Sequence, residues 1–296
     1  MTLSVVIPAH GRLGLLVRCL TALKRTHQGD SVPFDVCVVD DGSGLDEEAV
    51  RKSVDPDYPL TWRSFPEVRG RAAARNESIA STAGDIVVFL DSDMEVHPGF
   101  VAAHLDVHSR YPGSAVIGRI IWPDGGSYLR YIGTRGVTKL RPGEYTPPWY
   151  FVTGNASVRR ADLPAVRQFD ESLPGWGGED LDLGMRLGQR GIMFKYASEA
   201  VSFHHFDGDL AGHVARMERY GKDTVPVLVG RYPALMGVLK LDMLKSPFWR
   251  FIVRLNVASF VQKIVGMTDR LPLPDAVFDY ITFAAYARGW MEGAGS

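Results

Sequence analysis

The sequence predicts an α/β protein built on a mostly parallel sheet with helices on both faces, followed by a helical C-terminal extension. Three observations predict it. Short β-branched runs alternate with helix-spaced segments over the first ninety residues. Polar residues follow the ends of three of those runs, and the chain past Asp209 reads as helical segments broken by prolines. Continuous apolar strands separated by helices are what a sheet covered on both faces requires.

Taken in order, Leu3-Ser4-Val5-Val6-Ile7 reads as a buried strand closed by Pro8, and Leu16, Leu20 and Leu23 give the segment from Leu13 to Lys24 a helical stripe. Phe34 to Val39 is a second strand, Asp46 to Val54 a helix, Leu60 to Phe65 a short third strand and Arg71 to Ser81 a helix. Ile86 to Leu90 is the fourth strand, ending at Asp91. Ligands of such sheets bind beyond the carboxyl ends of the strands. Here Ala9-His10-Gly11-Arg12, Asp40-Asp41-Gly42-Ser43 and Asp91-Ser92-Asp93 all fall at that edge. From Val96 to His205 the pattern is irregular. Ile117 to Trp122 and Trp149 to Thr153 read as strands, and Glu179 to Arg190 as a helix after a glycine-rich loop. Pro226, Pro233, Pro247, Pro272 and Pro274 break the extension, and the final Gly-Ala-Gly-Ser is expected to fray.

With 296 residues, 46% of them apolar, the chain can bury a substantial core. Its 33 basic and 34 acidic residues leave a net charge of -1, without the basic excess of a nucleic-acid binder. Cys19 and Cys37 sit in apolar stretches away from any metal-like spacing, so they read as buried thiols of a reducing, cytoplasmic compartment. The N-terminal apolar run is too short for a signal peptide, and no uninterrupted run spans a membrane. The segment from Pro247 to Met267 mixes Phe248, Trp249, Phe251, Ile252, Leu255 and Phe260 with Arg250, Arg254 and Lys263. Packing against the catalytic domain is the favoured reading of that pattern, and peripheral contact with the inner face of a membrane through the extension is the alternative.

Asp91-Ser92-Asp93 places two carboxylates just past a buried strand. Magnesium and manganese commonly bind through one or two carboxylates plus substrate phosphates. Asp40-Asp41-Gly42-Ser43 reads equally as a turn and as a partner for a nucleotide base or ribose. In Gly175-Trp176-Gly177-Gly178-Glu179-Asp180, glycines allow close backbone approach, Trp176 offers a flat face to a sugar ring, and Glu179 and Asp180 open a helix. Capping alone needs fewer glycines and no tryptophan, so a site is favoured. His104 and His108 share a helical face at zinc-pair spacing but lack a third ligand, so a solvated face is expected.

The ordered strings VVIPAHGR, VVDDGSG, RGRAAARN, FLDSD and GWGGEDLDLGMRL resemble family 2 glycosyltransferases of the Rossmann-like GT-A fold, over residues 2 to 206. The last string is also similar to β-1,4-galactosyltransferases and, more distantly, to polypeptide N-acetylgalactosaminyltransferases. The resemblance implies a nucleotide-sugar donor, with a UDP-sugar the expected one, an unidentified acceptor and Mn2+ or Mg2+. It implies that Pro8, Ala9 and Arg12 line the nucleotide pocket, that Asp41 contacts the base with Asp40 beside it, and that Arg75 and Asn76 support the nucleotide side. Asp91, with Ser92 next to it, would face the donor ribose or sugar, Thr153, Gly154 and Asn155 would lie along the donor sugar, and Trp176, Gly177 and Gly178 would also bind the nucleotide sugar. Asp93, with Asp91 and His204 or His205, would hold the metal. Asp180 would be the catalytic base and Glu179 a binder of acceptor or donor hydroxyls.

Gly11 stands where family members often carry Asn, and the Gln-x-x-Arg-Trp motif of processive polymerases is absent, which favours transfer of a single sugar. The expected organisation is a catalytic domain over 1–208, split into a nucleotide-binding half (1–95) and an acceptor half (96–208), with the extension over 209–296. An inverting transferase is the main expectation. A retaining transferase, a nucleotidyltransferase and a non-catalytic nucleotide-sugar-binding module are the alternatives. The first nucleotidyltransferase feature to look for, a glycine-rich loop with a lysine, is missing, and a binding module needs no base.

Overall fold

The first strand, β1 (Leu3–Ala9), is buried at all seven positions. Its alternate residues explain why both faces are covered. Val5 and Ile7 pack with Leu16, Leu20 and Leu23, whereas Val6 packs with Ile79, Val87 and Phe89 on the other side. In this computed structural model the described residues are 1–29, 32–123, 125–163, 168–205, 208–255, 258, 261–263, 265 and 273–293. Phe260, Met267, Pro272 and the last three residues lie outside them.

After β1 come α1 (Leu13–Gly29), β2 (Phe34–Asp40), α2 (Glu47–Val54), β3 (Leu60–Ser64), α3 (Arg71–Ala80) and β4 (Ile86–Leu90). These four strands run parallel, in the order β3-β2-β1-β4. Asp46 caps α2 by accepting from Ala49 N at 3.0 Å. Then follow β5 (Met94–Val96), α4 (Phe100–Arg110), β6 (Ser114–Ile121), α5 (Ser127–Gly133), β7 (Tyr145–Thr146), β8 (Asn155–Arg159), α6 (Glu179–Gln189) and β9 (Met193–His204). β8 runs antiparallel between β4 and β6, β9 is parallel to β6, and β5 and β7 pair antiparallel with β9.

Two expectations are corrected here. The aromatic stretch Trp149 to Thr153 is not a strand: Pro148–Tyr150 is a 3-10 turn, and the strand begins at Asn155. Pro148 opens that turn, its fixed φ suiting the first helical position and taking the chain out of the extended conformation. His104 and His108 do not line a solvated face, since both are fully buried. They face β8, where Ser157 Oγ lies 2.9 Å from His104 Nδ1 and 2.9 Å from His108 Nε2, and Asn155 Oδ1 lies 3.0 Å from His104 Nε2. The two cysteines are buried and unbridged, as expected.

The chain divides into two compact units. The first comprises residues 1–123, 133–171 and 179–206 and holds the whole sheet; the second comprises 124–132, 172–178 and 207–296. The second is helical, with α7 (Leu210–Arg219), a π turn at Tyr220–Thr224, α8 (Val225–Arg231), α9 (Leu235–Val238), α10 (Pro247–Arg254) and α11 (Asp275–Gly293). Gly221 and Gly289 let these helices touch: a Cβ on either would stand 2.0 Å from the carbonyl oxygen of Tyr286 or Glu218. On α10, Val253 is buried, but Phe248, Phe251 and Leu255 are 61%, 59% and 54% exposed. Trp249 and Ile252 are half-buried, and the Trp249 ring lies 6.5 Å from that of Phe283 within the same unit, so only part of the aromatic stripe stays exposed. No helix among the described residues is long and apolar enough to cross a membrane.

Candidate active site

The strand ends of the first unit gather its polar loops. Asp41 N donates to Ala9 O at 2.8 Å, His10 Nδ1 donates to Asp41 O at 2.8 Å, and Gly11 N donates to Ser43 Oγ at 2.7 Å. Asp40 is spent on its own turn, accepting from Ser43 N, from the Ser43 hydroxyl and from Leu45 N. Asp41 reaches further and accepts from Arg69 N at 2.7 Å and Gly70 N at 2.9 Å. A Cβ on Gly42 would lie 2.3 Å from the Glu67 backbone carbon, so only glycine lets these two loops meet. Pro8 and Ala9 are buried in β1, while Arg12 is exposed and sits at φ +51, an uncommon conformation for a side chain of its size.

Beneath this edge lies a charged cluster. Arg75 of α3 is 1% exposed. Its Nη2 donates to Asp91 Oδ1 at 2.9 Å, and its Nη1 donates to Glu179 Oε1 at 3.1 Å and to Asp180 Oδ1 at 3.4 Å. Asp180 is also held by Thr153, whose hydroxyl donates to Oδ1 at 2.6 Å and whose N–H donates to Oδ2 at 3.0 Å. Burial lifts the Asp180 carboxyl above its ordinary value, with Arg75 opposing the shift. Burial also raises Glu179, but Arg71 and Arg75 outweigh it and hold that carboxyl down. Two adjacent carboxylates are thereby pushed apart, the pattern that separates a proton acceptor from a permanently charged group.

Asp93 and His204 are brought together by the β5–β9 ladder, which pairs Met94 with His204. His204 Nε2 lies 3.3 Å from Asp93 Oδ2, and the Trp122 ring packs on the imidazole at 4.4 Å. Two ligands at right angles on a cation with bonds of about 2.1 Å stand about 3.0 Å apart, so this pair fits a divalent ion. Among the described residues no three His, Cys, Asp or Glu side chains converge to enclose a metal. Asp91 has one oxygen on Arg75, and the remaining ligands would come from phosphate and water. His205 is turned elsewhere, 2.8 Å from Glu95 Oε2 and 3.2 Å from Arg18.

Other expected residues are distributed differently. Gly154 lies beside Asp91, whose Oδ2 would be 3.3 Å from a Cβ there. Asn155 is fully buried, and its amide reaches Arg119 O, Ala200 O and Ser202 Oγ, so its side chain supports the strand. Asn76 bonds to Phe169 N, Phe169 O and Glu171, and so clamps that segment. Ser92 is half-buried between the two aspartates. Trp176, Gly177 and Gly178 belong to the second unit, where the Arg216 guanidinium lies 5.6 Å from the Trp176 ring. Sequence reading missed Arg71, 3.1 Å from Glu179, and the roles of Thr153 and Trp122. The Arg-Gly-Arg of the third string was the available signal for Arg71.

Comparison with known proteins places this geometry. The model for glycosyl transferase family 2 matches residues 4–164, and that for glycosyl transferase family group 2 matches residues 86–287. The uncharacterized glycosyltransferase YfnE of Bacillus subtilis is 28% identical, with 69% of this chain and 64% of that protein covered. A validoxylamine A glucosyltransferase of Streptomyces hygroscopicus subsp. jinggangensis is 30% identical, covering 67% and 54%. The pre-mycofactocin glycosyltransferase of Mycobacterium tuberculosis is 30% identical, covering 78% and 48%. The chain thus spans about half to two thirds of these relatives' lengths. In fold it is similar to the mannosyltransferase PcManGT of Pyrobaculum calidifontis, solved with GDP-Man and Mn2+, at a TM-score of 0.63 and 17% identity over 99% of this chain and 86% of that one. Residues 1–349 of S. aureus TarS, solved with UDP-GlcNAc, give 0.55 and 16% over 75% and 66%. The fold is of the GT-A type, and with the family model matched over more than half its length the chain belongs to glycosyl transferase family 2.

Proposed function

We propose that this chain carries the catalytic domain of an inverting, non-processive glycosyltransferase that moves one sugar from a UDP-sugar to an acceptor hydroxyl with a divalent cation bound. The observation that carries this reading is Asp180. It opens α6, is anchored by Thr153 and Arg75, and shares that arginine with Asp91 at the end of β4. Asp180 Oδ1 accepts two hydrogen bonds, whereas Oδ2 accepts only from Thr153 N among the described residues. Oδ2 therefore keeps a lone pair for an acceptor proton, and burial raises the carboxyl above its ordinary value, which strengthens it as a base. As the acceptor oxygen bonds to the anomeric carbon, the bond to the diphosphate oxygen breaks and the proton passes to Oδ2. Glu179, held ionised by two arginines, is suited to orient hydroxyls and not to exchange protons. A cation held by Asp93 and His204 would offset the charge of the departing diphosphate.

Asp41 supports the nucleotide side in this reading by fixing the Arg69–Gly70 turn at the start of α3. The first 95 residues would serve the nucleotide and residues 96–208 the acceptor. The two buried, unbridged thiols support a reducing compartment. The exposed stripe of Phe248, Phe251 and Leu255, with the exposed Arg250 and Arg254, supports peripheral contact with an anionic membrane. Cosedimentation with phosphatidylglycerol vesicles tests that contact, and equal recovery of wild type and Phe251→Ser rejects it.

The test of the activity is a panel of nucleotide sugars with manganese, read as release of nucleoside diphosphate and as the anomeric coupling of the product by proton NMR. Transfer that persists in excess chelator removes the cation from the mechanism. A product with the donor's configuration removes inversion.

A further inference from the structure

Arg75 has a geometry that neither filling a core nor binding a nucleotide explains. It is 1% exposed, yet the three carboxylates it holds are 28%, 10% and 26% exposed at Asp91, Glu179 and Asp180. The cation is sealed with Glu179, while Asp91 and Asp180 keep an outward face. Burial works against the charge of the guanidinium, and the carboxylates keep it protonated. Its position is set from behind. Ala73 and Ala74 seat α3 in the core. The Phe169 ring lies 5.5 Å from the guanidinium carbon, and Phe169 itself is pinned through its N–H and carbonyl by Asn76.

The division of contacts is what matters. Nη2 holds Asp91, at the end of β4, and Nη1 holds Glu179 and Asp180, at the start of α6. Asp91 and Asp180 are 89 residues apart in the chain and lie on elements that do not pair with one another. The guanidinium is a planar, rigid fork, so holding one carboxylate on each nitrogen fixes the separation and orientation of the two. A lysine carries its donors on a single atom and cannot reproduce that spacing.

We propose that Arg75 is a positioning residue that sets Asp180, the acceptor-side base, in register with Asp91, the donor-side carboxylate. Sugar transfer, which needs both carboxylates in register, then depends on the fork more steeply than donor binding, to which only Asp91 contributes. The inference rests on the glycosyltransferase reading above. Misplacing a reacting group by about 1 Å can cost about 100-fold in rate while binding contacts survive.

The experiment compares wild type, Arg75→Lys, Thr153→Val and the double variant, using a nucleotide sugar that wild type transfers. It reads kcat for transfer, donor Kd by calorimetry, the ratio of transfer to donor hydrolysis, and the melting temperature. Arg75→Lys is expected to lower kcat about 100-fold, weaken donor Kd by no more than about tenfold and shift the ratio toward hydrolysis. Because Thr153 anchors the same carboxylate, the double variant should fall well short of the product of the two single losses. A kcat within threefold of wild type overturns the proposal, as does a donor Kd that weakens in step with kcat. Should Arg75→Lys fail to fold, Phe169→Leu removes the ring beside the guanidinium and keeps the fork. It should show the same pattern at about tenfold, and an unchanged kcat overturns the proposal. Wild type that transfers from no nucleotide sugar would fail the functional reading itself, a result separate from any variant's.

Discussion

Two buried polar clusters flank the strand β8, and they are built on opposite principles. Around Arg75 the groups are charged: one sealed cation holds three carboxylates, of which Asp91 and Asp180 keep part of their surface in water. Around His104 the groups are neutral and closed. Asn155 donates its amide hydrogens to Arg119 O, Ala200 O and Ser202 Oγ, so its Oδ1 must accept from His104 Nε2. His104 Nδ1 then accepts from Ser157 Oγ, and Ser157 accepts from His108 Nε2. The two amide hydrogens of Asn155 are shared among three acceptors, His108 Nδ1 has no hydrogen-bond partner among the described residues, and desolvation pushes the two imidazoles down to about 4 and about 3. A net of neutral hydrogen bonds can be sealed at little cost. A set of three carboxylates with Arg75 and Arg71 is tolerated where its outward face meets solvent or substrate. The difference separates a group kept for chemistry from one kept for shape.

That contrast can be broken most sharply at Asp180. Asp180→Asn keeps the shape and removes the base, so kcat should fall by about 10²–10⁴-fold with donor affinity retained. Steady-state kinetics with a calorimetric donor titration check it, and a kcat near wild type would move the base elsewhere. The opposite result is expected in the neutral cluster. Ser157→Ala strands His104 Nδ1 and His108 Nε2 in the core, which should cost about 1–3 kcal/mol of stability and leave kcat unchanged at neutral pH. Chemical denaturation reads the first effect, and a loss of kcat with unchanged stability would make the cluster functional. The same cluster also sets an acid sensitivity. His104 and His108 have folded values below their ordinary 6.5, so the unfolded chain binds more protons once the pH drops below that value. Stability is complete above about pH 6.5 and is lost as the pH falls toward about 3, by up to about 1.4 kcal/mol per pH unit for each histidine. His213 of the second unit, lowered to about 4 by burial, adds with the same sign. Measuring stability between pH 6.5 and 5 avoids most carboxylate titration, and a flat profile there would mean that these imidazoles are not held neutral.

Much of the fold was legible because local rules and the tertiary result agree. Buried parallel strands need continuous apolar runs, so β1, β2 and β4 and the polar residues after them could be placed from composition alone. Asp91, Asp93, Glu179 and Asp180 stood out for the same reason, as carboxylates at a strand end and a helix start. The failures have one cause. Trp149 to Thr153 carries strand-forming residues, but two prolines and the packing of Phe151 in the core decide its path. His104 and His108 look like a wet helix face until β8 supplies Ser157 and Asn155 opposite them.

The sequence by itself determined the alternation of strands and helices, the sheet edge that gathers polar loops and the carboxylates available for catalysis, because these depend on residues near one another in the chain. Only the tertiary structure decided which charges meet. Arg75 finds Asp91 16 residues away and Glu179 104 residues away, and Asp93 finds His204 across the β5–β9 ladder. Buried charges persist only where opposite charge and hydrogen bonds offset their desolvation, and those partners come from segments that no local pattern links.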